Sequence, residues 1–205
     1  MSACRAPRRL ATRRRATVLA TGAAVAALTL TACGSGGTSG GSSDTKFVQG
    51  KGGVDTVPKG QRTEAPELSG TTLEDEQLDV ADLKGKIVVL NVWGSWCAPC
   101  RAEAPNLAKV AKDTKRDGVE FVGINTRDND RAPARRFEKA FGVEYPSLYD
   151  PMGKLMLRFP KGSLNPQAIP STIVLDRDGR IAARTLTALS EERLRSMLDP
   201  LIAEK

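Results

Sequence analysis

The 205-residue chain has no histidine at all. That excludes imidazole metal sites, Ser-His-Asp triads, Cys-His dyads and haem attachment through Cys-x-x-Cys-His. Any chemistry must run on cysteine, carboxylates, lysine, tyrosine or backbone groups. The fold also lacks the basic excess that the formal charge of +7 suggests. Residues 1–32 hold six arginines (Arg5, Arg8, Arg9, Arg13, Arg14 and Arg15), no lysine and no acid. The remaining 25 basic residues face 24 acids, so the body is nearly neutral and no nucleic-acid partner is expected. Cysteine is sparse, with only Cys4, Cys33, Cys97 and Cys100.

An Arg-rich start followed by 17 uncharged residues, Ala16 to Ala32, is the pattern of a secretory signal over residues 1–32. As a permanent anchor it is short: 17 residues rise about 25 Å as a helix, against roughly 30 Å of hydrocarbon. The small residues of Leu30-Thr31-Ala32-Cys33 suit a peptidase cleft, and the segment resembles a bacterial lipobox. That resemblance implies lipid on Cys33 and anchorage at the extracytoplasmic face of the cell membrane. Cys4 then leaves with the signal, and only Cys97 and Cys100 remain as thiols. Gly34 to Ser43 contains five Gly, four Ser and one Thr, and residues 33–63 read as lipidated cysteine plus flexible linker. The region 44–62 is read as mostly linker, with room for one short strand.

Residues 64–205 carry globular patterning. Strands are expected at 71–73, 78–80, 87–93, 119–125, 145–148, 172–175 and 181–185. Helices are expected over 97 to about 115, 132–141 and 152–159, and from Ser190 onward. Ile87–Trp93 is a near-continuous apolar run, as in a buried strand. Asp176-Arg177-Asp178-Gly179 reads as a hairpin turn. Ser190 caps the last helix, and Leu194, Met197, Leu198 and Leu201 form one apolar face. Strands alternating with helices give an α/β fold, a sheet with helices on both faces.

The chemistry centres on Trp93-Gly94-Ser95-Trp96-Cys97-Ala98-Pro99-Cys100, where a buried strand gives way to a helix. A cysteine at a helix N-terminus is stabilised as thiolate by unpaired N–H groups and the helix dipole. Cys97 is therefore the expected nucleophile and Cys100, one turn on, the resolving thiol. Structural zinc needs four ligands, which two thiols without histidine do not supply. A static disulfide across so short a loop would stabilise little. No metal and no cofactor are expected.

Trp-Cys-Ala-Pro-Cys after a buried strand, with Ile169-Pro170-Ser171-Thr172 entering a later one, resembles the thioredoxin superfamily. Pro105 in the following helix, the 176–179 turn and the long segment 127–150 narrow the resemblance to the TlpA/ResA-like membrane-tethered thiol-disulfide oxidoreductases. It implies a thioredoxin-like fold, a mixed sheet with the extra helix and strand of that group, and a cis Pro170 facing the sulfurs. It also implies a substrate chain received by Ile169, Pro170, Trp96 and Pro99. The activity implied is reduction of disulfides in exported proteins, apocytochromes c among them, by a monomer re-reduced by a transmembrane electron donor. Two positions depart from pattern. Asn91 stands where thioredoxin has a buried Asp, and Ala168 stands where the TlpA/ResA group usually has Gly.

Glu103 lies at i+3 from Cys100, on or beside the inward helix face marked by Ala104, Leu107, Val110 and Ala111. One reading makes it a complement to the helix N-terminus. The other makes it a buried acid that manages the Cys100 proton, and ResA-like proteins carry Glu at this place. Rival functions fit less well. A peroxiredoxin-like peroxidase needs Pro and Thr or Ser where Leu90 and Gly94 stand, and copper-handling relatives pair two Cys with a distant His.

Overall fold

The computed structural model describes residues 45–204. The signal segment, Cys33 and residues 34–44 lie outside the described residues, as does Lys205. In chain order the elements are β1 (Val48–Gln49), β2 (Val54–Thr56), β3 (Ser69–Thr71), β4 (Gln77–Asp79), β5 (Ile87–Trp93), α1 (Ala98–Thr114), β6 (Val119–Thr126), α2 (Arg131–Phe141), β7 (Ser147–Asp150), β8 (Ser171–Leu175), β9 (Ile181–Thr185) and α3 (Glu191–Ala203).

Seven strands form one sheet in the order β1-β2-β9-β8-β5-β6-β7, and β3 pairs with β4 separately. β5 runs parallel to β6 and antiparallel to β8, which makes the sheet mixed. It lies at the centre because every one of its residues is buried. Ile87 and Val89 pack with Leu107 and Val110 of α1 and with Leu194, Met197 and Leu198 of α3. Val88, Leu90 and Val92, on the opposite face, pack with Val80, Met156 and Phe159. Burying each such side chain is worth about 1.5–3 kcal/mol, so this two-sided core can hold the domain without a structural disulfide.

The helices expected on both faces are unequal. α1 and α3 cover one face, α2 packs beside them on Trp93 and Ala104, and among the described residues the helical structure on the other face is the 3₁₀ turns at Val80–Leu83 and Met156–Arg158. The helix expected over 152–159 shrinks to that second turn, because Gly153 takes a left-handed conformation (φ +68°) and Phe159, extended before Pro160, ends the turn. The last strand of the 127–150 segment falls at 147–150, two residues later than expected.

Residues 48–57, read from the sequence as tether, are built into the sheet. β2 pairs with β9, Val54 opposite Thr185. Val54 and Val57 are buried, and the Val57 N–H donates to the Ala182 carbonyl at 2.7 Å. Arg62 then clasps Asp176 at 3.0 Å and Glu204 at 2.6 Å. The folded part therefore begins before residue 64. Two isolated valines in a Gly-rich, polar stretch gave no periodic signal.

The terminal hairpin and helix form as expected. Asp176 Oδ1 accepts the N–H groups of Asp178 and Arg180 at 3.0 and 2.9 Å. Ser190 Oγ accepts the Arg193 N–H at 3.3 Å, and Leu189 and Leu194 are both buried.

Candidate active site

β5 brings the chain to the site at Trp93, and α1 carries it away from Ala98. Cys97 is the N-cap of α1, and its sulfur accepts the Cys100 N–H at 3.2 Å. This places Cys97 at the positive end of a 17-residue helix. Pro99 occupies the first turn, where a missing N–H costs no intrahelical bond. Cys97 and Cys100 form a disulfide, with Cα atoms 5.3 Å apart. Cys97 is 4% exposed and Cys100 1%.

Of the sequence-predicted substrate residues, Ile169 is the one whose backbone approaches the Cys97 sulfur. Cys97 Sγ lies 3.8 Å from the Ile169 carbonyl oxygen, at the cis Ile169–Pro170 bond. Ile169 is half-buried and Pro170 buried, while Trp96 and Pro99 are exposed in the same turn as Cys97. A Cβ on Gly94 would stand 2.8 Å from Trp96 Nε1 and 3.1 Å from the Thr126 carbonyl, so only glycine lets the indole lie this close.

Glu103 is 1% exposed. Asn91 Nδ2 donates to its Oε1 and the Leu189 N–H to its Oε2, each at 2.8 Å. Burial pushes its pKa up to about 7. The two donors and the charge of Arg193 oppose that rise without cancelling it. Asn91 also donates to Thr172 Oγ1 at 3.1 Å. The site that lacks an acid on β5 thus has one on α1, and Asn91 holds it.

Two further features had no local signal. Asp128 accepts the Ser95 N–H at 2.8 Å, the Ser95 hydroxyl at 2.6 Å and Asn125 Nδ2 at 2.7 Å, which fastens the Cys97 turn to the end of β6. Trp93, buried, stacks on Phe137 of α2 at 4.4 Å and donates its indole N–H to Ser147 Oγ at 3.3 Å. A Cβ on Gly123 would stand 2.0 Å from that oxygen, so glycine is required beneath the bond.

A disulfide-bonded cysteine pair at a helix N-terminus, a cis proline beside it and a buried acid on the same helix suit disulfide exchange. The Redoxin family profile matches residues 55–199, most of the chain. This chain belongs to the Redoxin family. The Redoxin domain is 31% identical over 135 residues to the thiol-disulfide oxidoreductase ResA of Bacillus anthracis, covering 66% of this chain and 75% of that protein. It superposes on a DsbF homologue from Corynebacterium diphtheriae with a TM-score of 0.69 and 38% identity, covering 75% of this chain and 96% of that one. A secreted thiol-disulfide isomerase from Corynebacterium glutamicum matches with a TM-score of 0.70 and 32% identity, covering 77% and 97%. The fold is thioredoxin-like and ResA-like, and this Redoxin protein is a thiol-disulfide oxidoreductase.

Proposed function

We propose that this oxidoreductase works outside the cytoplasm, tethered to the cell membrane by lipid on Cys33, and reduces disulfides of exported proteins, apocytochromes c among them. In this reading the Cys97 thiolate attacks a substrate sulfur and forms a mixed disulfide. Cys100 gives its proton to Glu103, attacks Cys97 Sγ and releases the second substrate thiolate. Substrate gains two electrons, the Cys97–Cys100 disulfide forms, and a transmembrane electron donor restores the dithiol. Trp96, Pro99, Ile169 and Pro170 receive the substrate chain around Cys97.

The observation that carries this reading is the asymmetry of the pair. Cys97 caps the helix beside the Ile169 carbonyl, whereas Cys100 is the more deeply buried, with Glu103 one turn further along α1. The location is supported by the signal-like segment, by Leu30-Thr31-Ala32-Cys33, and by a secreted Corynebacterium glutamicum relative. Among the described residues no helix is long and apolar enough to cross a membrane.

Thiol trapping in intact cells tests the direction. A reductant is kept as dithiol, so most molecules should carry two blocked thiols at Cys97 and Cys100. A steady state of disulfide would overturn the reducing role. Fatty-acid labelling tests the tether: wild type should take the label and Cys33→Ser should lose it, and equal labelling would overturn lipidation. Two acyl chains give stable anchoring, at about 0.8 kcal/mol per buried CH₂.

A further inference from the structure

The segment 160–168, which leads to Ile169, runs as turns between the 3₁₀ turn at Met156–Arg158 and β8. Its start is tied to the N-terminal segment and to β9. The buried Ser163 hydroxyl bonds with Thr45 Oγ1 at 3.2 Å, and Arg184 donates to the Ser163 carbonyl at 3.2 Å. Its end is tied to β8, where the Ser171 hydroxyl donates to the Ala168 carbonyl at 2.9 Å. The middle closes on itself: the Asn165 carbonyl accepts the Ala168 N–H at 2.9 Å, and Asn165 Oδ1 accepts the Gln167 N–H at 3.0 Å. This middle turn is joined to the end of β6 by the exposed Arg127, whose guanidinium donates to the Pro166 carbonyl at 2.5 Å.

Arg127 is the first residue after β6, and its backbone is left-handed (φ +58°). An L side chain adopts that conformation at a cost, and it persists where the neighbours enforce it. Here they do. Asp128 is buried, and its carboxylate is fully engaged with Ser95 and Asn125. Its carbonyl accepts the Tyr149 hydroxyl at 2.9 Å, and the Arg131 guanidinium lies over the Tyr149 ring at 4.3 Å. The left-handed turn sends two adjacent side chains to opposite walls of the site. Asp128 holds the turn that carries Cys97, and Arg127 holds the loop that carries Ile169. Between those walls Cys97 Sγ faces the Ile169 carbonyl at 3.8 Å.

We propose that Arg127 is a positioning residue that selects disulfides carried on a polypeptide chain, by holding the Ile169 carbonyl where the chain beside a substrate cysteine pairs with it. The inference rests on the reading above that a substrate chain is received at Ile169. An N–H donated to that carbonyl needs a separation of about 2.7–3.2 Å and a near-linear angle, so a drift of about 1 Å in the loop loses it. Asp128 keeps the nucleophile's turn still, and Arg127 keeps the acceptor still relative to it. A guanidinium suits the task, because it is always charged and its bond to a carbonyl is stronger than a neutral one. A small disulfide without flanking N–H groups meets Cys97 alone, so its exchange does not depend on the loop. Arg127 acts through Pro166 and Ile169, at a distance from the exchange itself.

The experiment mixes the reduced full chain with rising concentrations of a disulfide-linked peptide dimer, the same dimer with the amides flanking its cysteines methylated, or a small aromatic disulfide. Wild type should need about fivefold more of the methylated dimer than of the parent to reach half its maximal rate, the worth of one net hydrogen bond. Arg127→Ala should raise the parent's half-saturating concentration to that of the methylated dimer, at the same maximal rate, and the loss should be confined to the peptides. Arg127→Lys keeps a donor and should recover part of the difference. Arg127→Gly is relieved of the left-handed cost and should melt no lower than wild type, yet treat the dimers as Arg127→Ala does, which separates the guanidinium from the backbone. A wild type indifferent to methylation would overturn the pairing at Ile169, and the proposal with it. A wild type that discriminates, with Arg127→Ala and Arg127→Gly discriminating equally, would overturn the role of Arg127 and leave Ile169 standing. An equal loss on the small disulfide would make Arg127 a general support of the site and overturn the proposal.

Discussion

Cys100→Ser should accumulate mixed disulfides with target proteins, whereas Cys97→Ser should form none and lose exchange to background. A free thiol titrates near 8.5, and a helix N-terminus commonly brings it to roughly 3.5–7.5. Cys97 is the N-cap of α1, so in the reduced protein its thiolate gains this stabilisation. It also has the Ile169 carbonyl 3.8 Å away, where an incoming chain would pair with backbone. Cys100 sits below it at 1% exposure and meets no external sulfur before the first exchange has occurred. Serine at 100 keeps nearly the shape and removes only the second attack, so the covalent intermediate persists. Non-reducing gels followed by identification of the trapped chains read the result. Adducts on Cys97→Ser and none on Cys100→Ser would reverse the two roles.

Glu103→Gln should change both a rate and a stability curve. The carboxyl is held near 7 rather than at its ordinary 4.5, chiefly by burial. The folded protein therefore holds this proton more tightly than the unfolded chain, and the sign follows: stability falls as pH rises from about 4.5 to about 7. At 1.36 kcal/mol per unit, full ionisation costs the oxidised fold about 3 kcal/mol. Thermal melts of oxidised wild type should show that decline, and Glu103→Gln should lose the part this carboxyl contributes, while Glu138 of α2, which burial also raises to about 7, keeps its own part. In the reduced protein, thiol and acid titrate as a coupled pair. Removing the acid should lower the apparent Cys100 thiol pKa, because a nearby carboxylate disfavours the thiolate. It should also slow resolution, because Cys100 loses the group that takes its proton. Superimposable alkylation and exchange profiles would leave Glu103 a purely structural residue.

The parts of this site that were legible in the sequence are those whose signal is local. Trp-Cys-Ala-Pro-Cys, the run 87–93, the Ser190 cap and the 176–179 turn each fit inside one short window. Helical spacing placed Glu103 near the inward face, and it is buried there. Its partners were hidden because Asn91 and Leu189 lie 12 and 86 residues away and meet it only through packing. Asn91 looked like the loss of an acid, but its amide is the donor that holds one. Gly123, Ser147 and Trp93 likewise meet through strand register, Gly123 lying opposite both Asn91 and Ser147. The short strand allowed within 44–62 could not be placed for a related reason, and β2 is one of two that form there. β2 contributes Val54 and is followed by Val57, and takes its shape from β9 rather than from its own pattern.

That added strand bears on how such a protein survives its substrates. An enzyme that opens disulfides meets unfolded chains at close quarters, and an unpaired sheet border is a template on which such chains can grow. β9 would be that border, but among the described residues β2 covers it and the two-residue β1 lies outside β2. On the far side β7 has four residues, and Thr72, just beyond β3, bridges to Leu148. Neither flank offers a long row of free N–H and C=O groups. A client chain is steered away from open-ended strand addition and towards the cysteine pair, where contact ends when the thiols exchange.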